Sequence, residues 1–268
     1  MDTITSADGT DVRVYDEGRG PGVLLIGPGL DDGTRTRRLA GILATRFRVV
    51  RLHRRQYRLD LASRGPCSIA DEVDDVLAVA AAVGEPLVLY GHSSGGVVAL
   101  EAFVAAAHTF AGAVIFEPAA VTGRPLGGEV ITRARAAITA GKPGTALTIF
   151  IRDTVGLPPW QARMAGALTA LVPRYRRLAP AQINDLEALD RLGVRLDAYA
   201  QITTPTLLLG GDRSPAHLTE RLDAIEHVLP RGDRVVMHKR DHGADLKAPK
   251  QVAGIITTFA DTVLPHPD

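Results

Sequence analysis

The chain has 268 residues, of which 46% are hydrophobic and 23% charged, a composition that belongs to folded globular proteins and excludes disorder. Its 31 Lys+Arg against 30 Asp+Glu leave a formal charge of +1, which gives no general attraction to nucleic acid or to an anionic membrane. The single cysteine, Cys67, excludes an internal disulfide and fits a reducing compartment.

The N-terminus, MDTITSADGTDV, lacks the basic and apolar regions of a secretory signal, so a cytoplasmic location is expected. Thr3 to Thr5 and Val12 to Tyr15 flank Ala7-Asp8-Gly9 and predict an antiparallel hairpin. Short runs rich in branched residues then alternate with helical segments, the pattern of βαβ units and a mainly parallel sheet. The strands are expected at Val23 to Ile26, Arg48 to Leu52, Leu87 to Tyr90, Ala113 to Phe116, Thr206 to Leu209 and Arg234 to Met237. Helices are expected over Asp71 to Val83, Gly95 to Ala107, the stretch carrying Leu218, Leu222, Ile225 and Val228, and Lys250 to Val263. The most apolar stretches, Val76 to Tyr90 and Gly95 to Phe116, are interrupted by Glu85, Glu101 and His108, short of the ~20 residues of a membrane span. From Val121 to Gln201 no strand pattern persists, and Pro143, Pro158, Pro159, Pro173 and Pro180 punctuate helical segments. We read a core of residues 1–120 and 202–268 and an inserted helical cap, 121–201, covering one edge of the sheet.

The most specific local feature is Leu87-Val88-Leu89-Tyr90-Gly91-His92-Ser93-Ser94-Gly95-Gly96, a strand entering G-x-S-x-G and then a helix. A serine held on so tight a turn needs small neighbours, which explains Gly91 and Gly95 and makes Ser93 the candidate nucleophile. The turn also puts the Ser94 N–H at a helix N-terminus, where it can stabilise a developing oxyanion. A serine hydroxyl needs a base, and the base an orienting carboxylate. His242, in the loop between the last strand and the last helix, is the base of choice. His53, His92, His108, His217, His227, His238 and His266 read as surface or packing residues.

With these features the chain resembles the α/β-hydrolase fold superfamily over nearly its whole length. The resemblance implies a mostly parallel eight-stranded sheet with helices on both faces, a cap formed by the insertion, and the chain order Ser…acid…His. Two departures from the usual pattern bear on the site. The common acid position, G-x-x-D, reads Gly211-Asp212-Arg213-Ser214 here, with serine in the aspartate's place and Asp212 two residues early. The alternative is the end of the sixth strand, where Phe116-Glu117-Pro118 offers a carboxylate, an arrangement similar to the haloalkane dehalogenase and zearalenone lactonase branches. Glu117 is the favoured acid and Asp212 the alternative. After Val23 to Ile26 the usual His-Gly pair is replaced by Gly27-Pro28-Gly29-Leu30, so the second oxyanion donor falls to the Gly29 N–H, with Leu30 the fallback, since Pro28 has no N–H.

Ten arginines lie between Arg35 and Arg64 with Asp60 the only acid among them. They read either as a field that attracts an acidic substrate or as a solvated surface balanced by acids elsewhere. Trp160, beside Pro158 and Pro159, is a candidate for lining an apolar substrate pocket, together with Leu30, or else for anchoring the cap. Cys67 has no histidine nearby in sequence and is not expected to be a nucleophile. No G-x-G-x-x-G follows the first parallel strand, which disfavours a nicotinamide or flavin enzyme. The expected protein is a serine hydrolase without metal or cofactor, acting on a carboxylic ester or lactone of a small, largely apolar molecule. Carbon–carbon bond hydrolysis, acyl transfer, metabolite tailoring and ligand binding without catalysis are the alternatives. It is expected to bind neither nucleic acid nor membrane and to be a monomer or homodimer.

Overall fold

A computed structural model describes residues 2–264, apart from the side chains of 62–64; His266 lies outside the described residues. Eight strands form one sheet in the order β1-β2-β4-β3-β5-β6-β7-β8. They are β1 (Asp2–Thr5), β2 (Asp11–Glu17), β3 (Gly22–Ile26), β4 (Arg48–His53), β5 (Leu87–His92), β6 (Phe110–Phe116), β7 (Thr206–Gly211) and β8 (Gly232–Met237). The hairpin β1–β2 and the pair β2–β4 are antiparallel, and every pairing from β4 onward is parallel.

Alternation along the strands assigns each side chain to one of two cores. Leu24, Ile26, Leu89 and Ile115 face α2 (Ile69–Val83) and α3 (Ser94–Ala106). Val23, Leu25, Val88 and Val114 face α1 (Arg37–Leu43) and α11 (Pro249–Val263) on the other side. Both faces of the central strands are therefore buried, as near-continuous apolar runs demand in a parallel sheet. Helix α2 starts two residues before its expected position because Ser68 caps it: the Ser68 hydroxyl accepts the Asp71 N–H while the Asp71 carboxylate accepts the Ser68 N–H.

Between β6 and β7 the chain is helical: α4 (Glu129–Thr139), α5 (Pro143–Asp153), α6 (Pro159–Leu171), α7 (Pro173–Leu192) and α8 (Leu196–Tyr199). Pro143, Pro159 and Pro173 open helices, where a missing N–H costs nothing. Pro180 departs from expectation, lying inside α7. That helix continues because it buries Leu178, Ala179, Ile183 and Leu186. A parallel bridge between Val121 and Val194 ties the two ends of the insertion together. The insertion was expected to cover a sheet edge; instead its side chains share a cavity with Ser93 and His242, above the carboxyl ends of the strands. The remaining helices are α9 (Ala216–Val228), between the last two strands, and α10 (Ala244–Lys247) before α11. No helix among the described residues is long and apolar enough to cross a membrane.

Candidate active site

Ser93 sits between β5 and α3 with φ 56° and ψ −122°, a conformation that side chains rarely adopt. Three backbone hydrogen bonds hold it there: its N–H donates to the Phe116 carbonyl, and its carbonyl accepts from the Gly96 and Ala119 N–H groups, each at 3.0 Å. The two elbow glycines answer to close approach. A Cβ on Gly95 would lie 2.3 Å from the Gly27 carbonyl oxygen, and one on Gly91 2.7 Å from the Gly95 oxygen. Among the described residues four non-glycines have positive φ, and three of them, Leu30, Ser93 and Glu117, belong to this site. Left-handed backbone costs about 1–3 kcal/mol per residue, so their concentration here marks a place where geometry is held against local preference.

Glu117 follows β6 with φ 39° and is almost wholly buried. Its carboxylate accepts three hydrogen bonds: from His242 Nδ1 at 2.6 Å, from the Ser214 hydroxyl at 2.5 Å and from the Gly211 N–H at 2.8 Å. Burial pulls its pKa upward, but the bonds from His242, Ser214 and Gly211 outweigh it and hold the carboxyl below its ordinary value. Asp212 does not meet His242. It pairs with His238 Nδ1 at 2.7 Å on the surface, where the His238 side chain is 77% exposed. Ser214, which occupies the common acid's place in the sequence, thus serves Glu117 as a hydrogen-bond donor.

The His242 ring is also confined from the side. His92, fully buried, stacks on Phe116 with centroids 4.4 Å apart and meets His242 edge-on at 4.6 Å. Its Nδ1 lies 3.2 Å from Asp245, which forms a two-point pair with Arg35 at 2.8 and 2.9 Å. Burial holds the His92 pKa down at about 4, so the ring is neutral at pH 7 and donates Nδ1–H to Asp245.

Beneath the turn lies a buried ion cluster that sequence reasoning missed. Arg54, 1% exposed, pairs with Glu72 of α2 and Asp185 of α7, and its Nη1 donates to the Ser94 hydroxyl at 2.6 Å. Tyr57 donates to Asp185 at 2.6 Å. Burial alone would lower the Arg54 pKa, but the charges of Asp185 and Glu72 more than offset it, so the guanidinium stays charged. Gln182, one turn from Asp185, presses on Gly29, where a Cβ would lie 2.1 Å from its Oε1.

Ser93, Ser94, Gly29, Leu30 and His242 all border one cavity of about 190 Å³. Its other walls come from the insertion, through residues such as Leu126, Phe150, Thr154 and Leu186, and from α9, through His217, Leu218 and Arg221. Trp160 is not among the lining residues, a correction to the sequence reading. It lies on α6 with 60% of its surface exposed, because that helix buries Ala162, Gly166 and Thr169 instead. His217, read as a surface or packing residue, borders the cavity. The arginine-rich segment is largely neutralised: Arg35, Arg46, Arg48, Arg51, Arg54, Arg55 and Arg58 each pair with a carboxylate. The Cys67 thiol donates to Gln56, and burial pushes its pKa up, the opposite of an activated thiol. Among the described residues no group of three or more His, Cys, Asp or Glu is placed to hold a metal ion.

A strained serine elbow and a carboxylate–histidine pair on such a sheet define a hydrolase-type architecture, and comparison with known proteins agrees. The sequence model of the alpha/beta hydrolase family matches residues 23–255, and the chain belongs to that family. Among solved structures, it is similar to an alpha/beta hydrolase from Sphaerobacter thermophilus, with 25% identity, a TM-score of 0.81 and coverage of 96% of this chain and 99% of the other. It also resembles a thermophilic esterase from Thermogutta terrifontis, at 22% identity and TM-score 0.75 over 98% and 99% of the two chains. An enzyme described as degrading N-acyl homoserine lactones shares 21% identity and a TM-score of 0.75 over 96% and 100%. No curated protein sequence matches the chain significantly.

Proposed function

We propose that the protein is a serine hydrolase of carboxylic esters or lactones, working through Ser93, His242 and Glu117. The observation that carries this reading is the 2.6 Å contact between the Glu117 carboxylate and His242 Nδ1, beside a cavity onto which the strained Ser93 also opens. With its proton held on Nδ1, His242 has Nε2 free to take the Ser93 proton as the hydroxyl attacks the carbonyl carbon. The negative charge that develops on the carbonyl oxygen is received by the N–H groups of Gly29 and Ser94. Ser94 is the first residue of α3, so its N–H has no partner within the helix, and the helix dipole favours an anion there. The imidazolium then gives its proton to the leaving oxygen. Water, activated by the same histidine, attacks the acyl–serine ester and releases the acid. In this reading the helical insertion acts as a cap that excludes bulk water from the acyl–enzyme, and the substrate is a small molecule. The esterase and the lactone-degrading enzyme among the structural relatives support this choice of reaction class.

A fluorophosphonate probe tests the reading, because an activated serine attacks its phosphorus, displaces fluoride and is phosphonylated. The protein should label and lose esterase activity together, and Ser93→Ala should neither label nor hydrolyse esters. An unlabelled wild-type protein, or full esterase activity in the Ser93→Ala variant, ends the proposal.

A further inference from the structure

One charge on the wall of the catalytic cavity is left unneutralised by the protein. Arg221, half-buried on α9, borders the cavity, and among the described residues its guanidinium meets no hydrogen-bond or ion-pair partner. Burial pulls its pKa below the ordinary value, and only the neighbouring Glu220, itself exposed, pulls the other way. The contrast is Arg35, the other arginine of the lining, whose charge is taken up by Asp245.

Two further polar groups of the lining lack partners. His217 Nε2 and Thr154 Oγ1 are both buried without a hydrogen bond. His217 and Arg221 stand four residues apart on α9 and so share a face. The segment after α5 approaches that face, since a Cβ on Gly156 would lie 3.0 Å from the His217 ring. His217, its pKa pushed down to about 4 by burial and by Arg221 and His242, is neutral at pH 7, so Arg221 supplies the positive charge of this wall. Buried polar groups are nearly always satisfied, so His217 Nε2 and Thr154 Oγ1, beside the unpaired Arg221 and among apolar neighbours such as Phe150, Ile151 and Val155, await a polar group from outside.

We propose that Arg221, His217 and Thr154 form a recognition site for a carboxylate carried by the substrate, which makes the enzyme selective for acidic esters and lactones. This rests on the Ser93 reading above. One guanidinium matches the charge of one carboxylate, and its planar fork matches the two oxygens. The cavity, at about 190 Å³, is smaller than the ~300–1,000 Å³ of drug-sized sites, which limits the substrate to a short chain between ester and carboxylate.

Two pairs of esters test this, one for each side of the scissile bond. Monoethyl succinate carries a carboxylate on the acyl side and is compared with ethyl 4-methylpentanoate; acetoxyacetate carries it on the alcohol side and is compared with isobutyl acetate. In at least one pair kcat/KM should favour the acid by about tenfold or more, the scale of a charge-assisted hydrogen bond. That ratio should collapse in Arg221→Met and return in part in Arg221→Lys. No preference in either pair, or a preference that survives Arg221→Met, overturns the proposal. Calorimetry separates this outcome from failure of the hydrolase reading: Ser93→Ala should bind monoethyl succinate or acetoxyacetate about tenfold more tightly than Ser93→Ala/Arg221→Met. Equal binding of both ligands by the two variants overturns the carboxylate site. Arg221-dependent binding without any ester turnover upholds it and refutes only the hydrolase reading.

Discussion

Replacing Glu117 by Gln exchanges one carboxylate oxygen for NH2 and should abolish most of the activity while leaving the fold intact. Glu117 Oε1 accepts from Gly211 N–H and the Ser214 hydroxyl, and Oε2 accepts from His242 Nδ1. The glutamine carbonyl can keep the first two bonds, which turns its NH2 toward His242. A donor at that place requires a lone pair on Nδ1, so the ring proton moves to Nε2, and that tautomer cannot accept a proton from Ser93. A wrongly protonated histidine in a serine triad costs about 10⁴ in kcat, ~5.5 kcal/mol at 1.36 kcal/mol per decade. Stability should fall by no more than about 2 kcal/mol, because both protein donors remain satisfied. Since Glu117 titrates below its ordinary value in the fold, its contribution is present above that ordinary value and is lost as pH falls through the lowered one; the variant should lack this acid limb. Steady-state hydrolysis of p-nitrophenyl butyrate measures the first effect and urea unfolding between pH 3 and 7 the second. A Glu117→Gln enzyme within tenfold of the parent would refute the reasoning. So would an equal loss in Asp212→Asn, which should stay within about twofold because Asp212 pairs with a surface histidine.

Two other perturbations reach the structure around the site. Arg54→Met leaves the carboxylates of Glu72 and Asp185 buried without their cation and should cost about 3–5 kcal/mol in urea unfolding; a loss under 1 kcal/mol would mean the cluster is solvated. His92→Phe keeps an aromatic ring against Phe116 but removes a histidine whose pKa in the fold is about 4. Unfolded His92 takes up a proton near pH 6.5 and the folded form does not, so stability is lost as pH falls between those values. Between pH 7 and 4.5 the parent should therefore lose about 2 kcal/mol more than the variant, and equal losses would show that His92 is protonated in the fold.

Local patterns carried much of this molecule. The strands were legible because both faces of a parallel sheet are apolar, and Ser93 because a strained turn needs glycines within two residues. Glu117 was legible as a carboxylate closing an apolar strand, and the geometry adds what a linear reading lacked: Ser214, standing in the missing acid's place, binds Glu117 from the neighbouring strand end. The Arg54 cluster was not legible, since its members at 54, 72 and 185 meet only after three elements pack, and a charged residue reads as exposed by default. Trp160 failed for the opposite reason: size suggests burial, but α6 turns its small residues inward. The arginines of 35–64 suggested a free positive field, yet carboxylates scattered from Asp8 to Asp261 neutralise most of them. Arg221, whose guanidinium has no hydrogen-bond or ion-pair partner among the described residues, sat unremarked in a helix recognised only by Leu218, Leu222, Ile225 and Val228.

The Arg54 cluster also bears on how far this chain can be recombined. Its cation comes from the sheet side, one carboxylate from α2 and the other from α7 of the insertion, while the same guanidinium holds the Ser94 hydroxyl. A foreign insertion grafted between β6 and β7 would arrive without Asp185 and take away the acceptor that the buried Arg54 guanidinium and Tyr57 hydroxyl share. Chimeras of this protein should therefore be cut so that Arg54, Glu72 and Asp185 travel together, or are exchanged together for apolar residues of similar volume. The boundary of the exchangeable unit is set by charge as much as by chain connectivity.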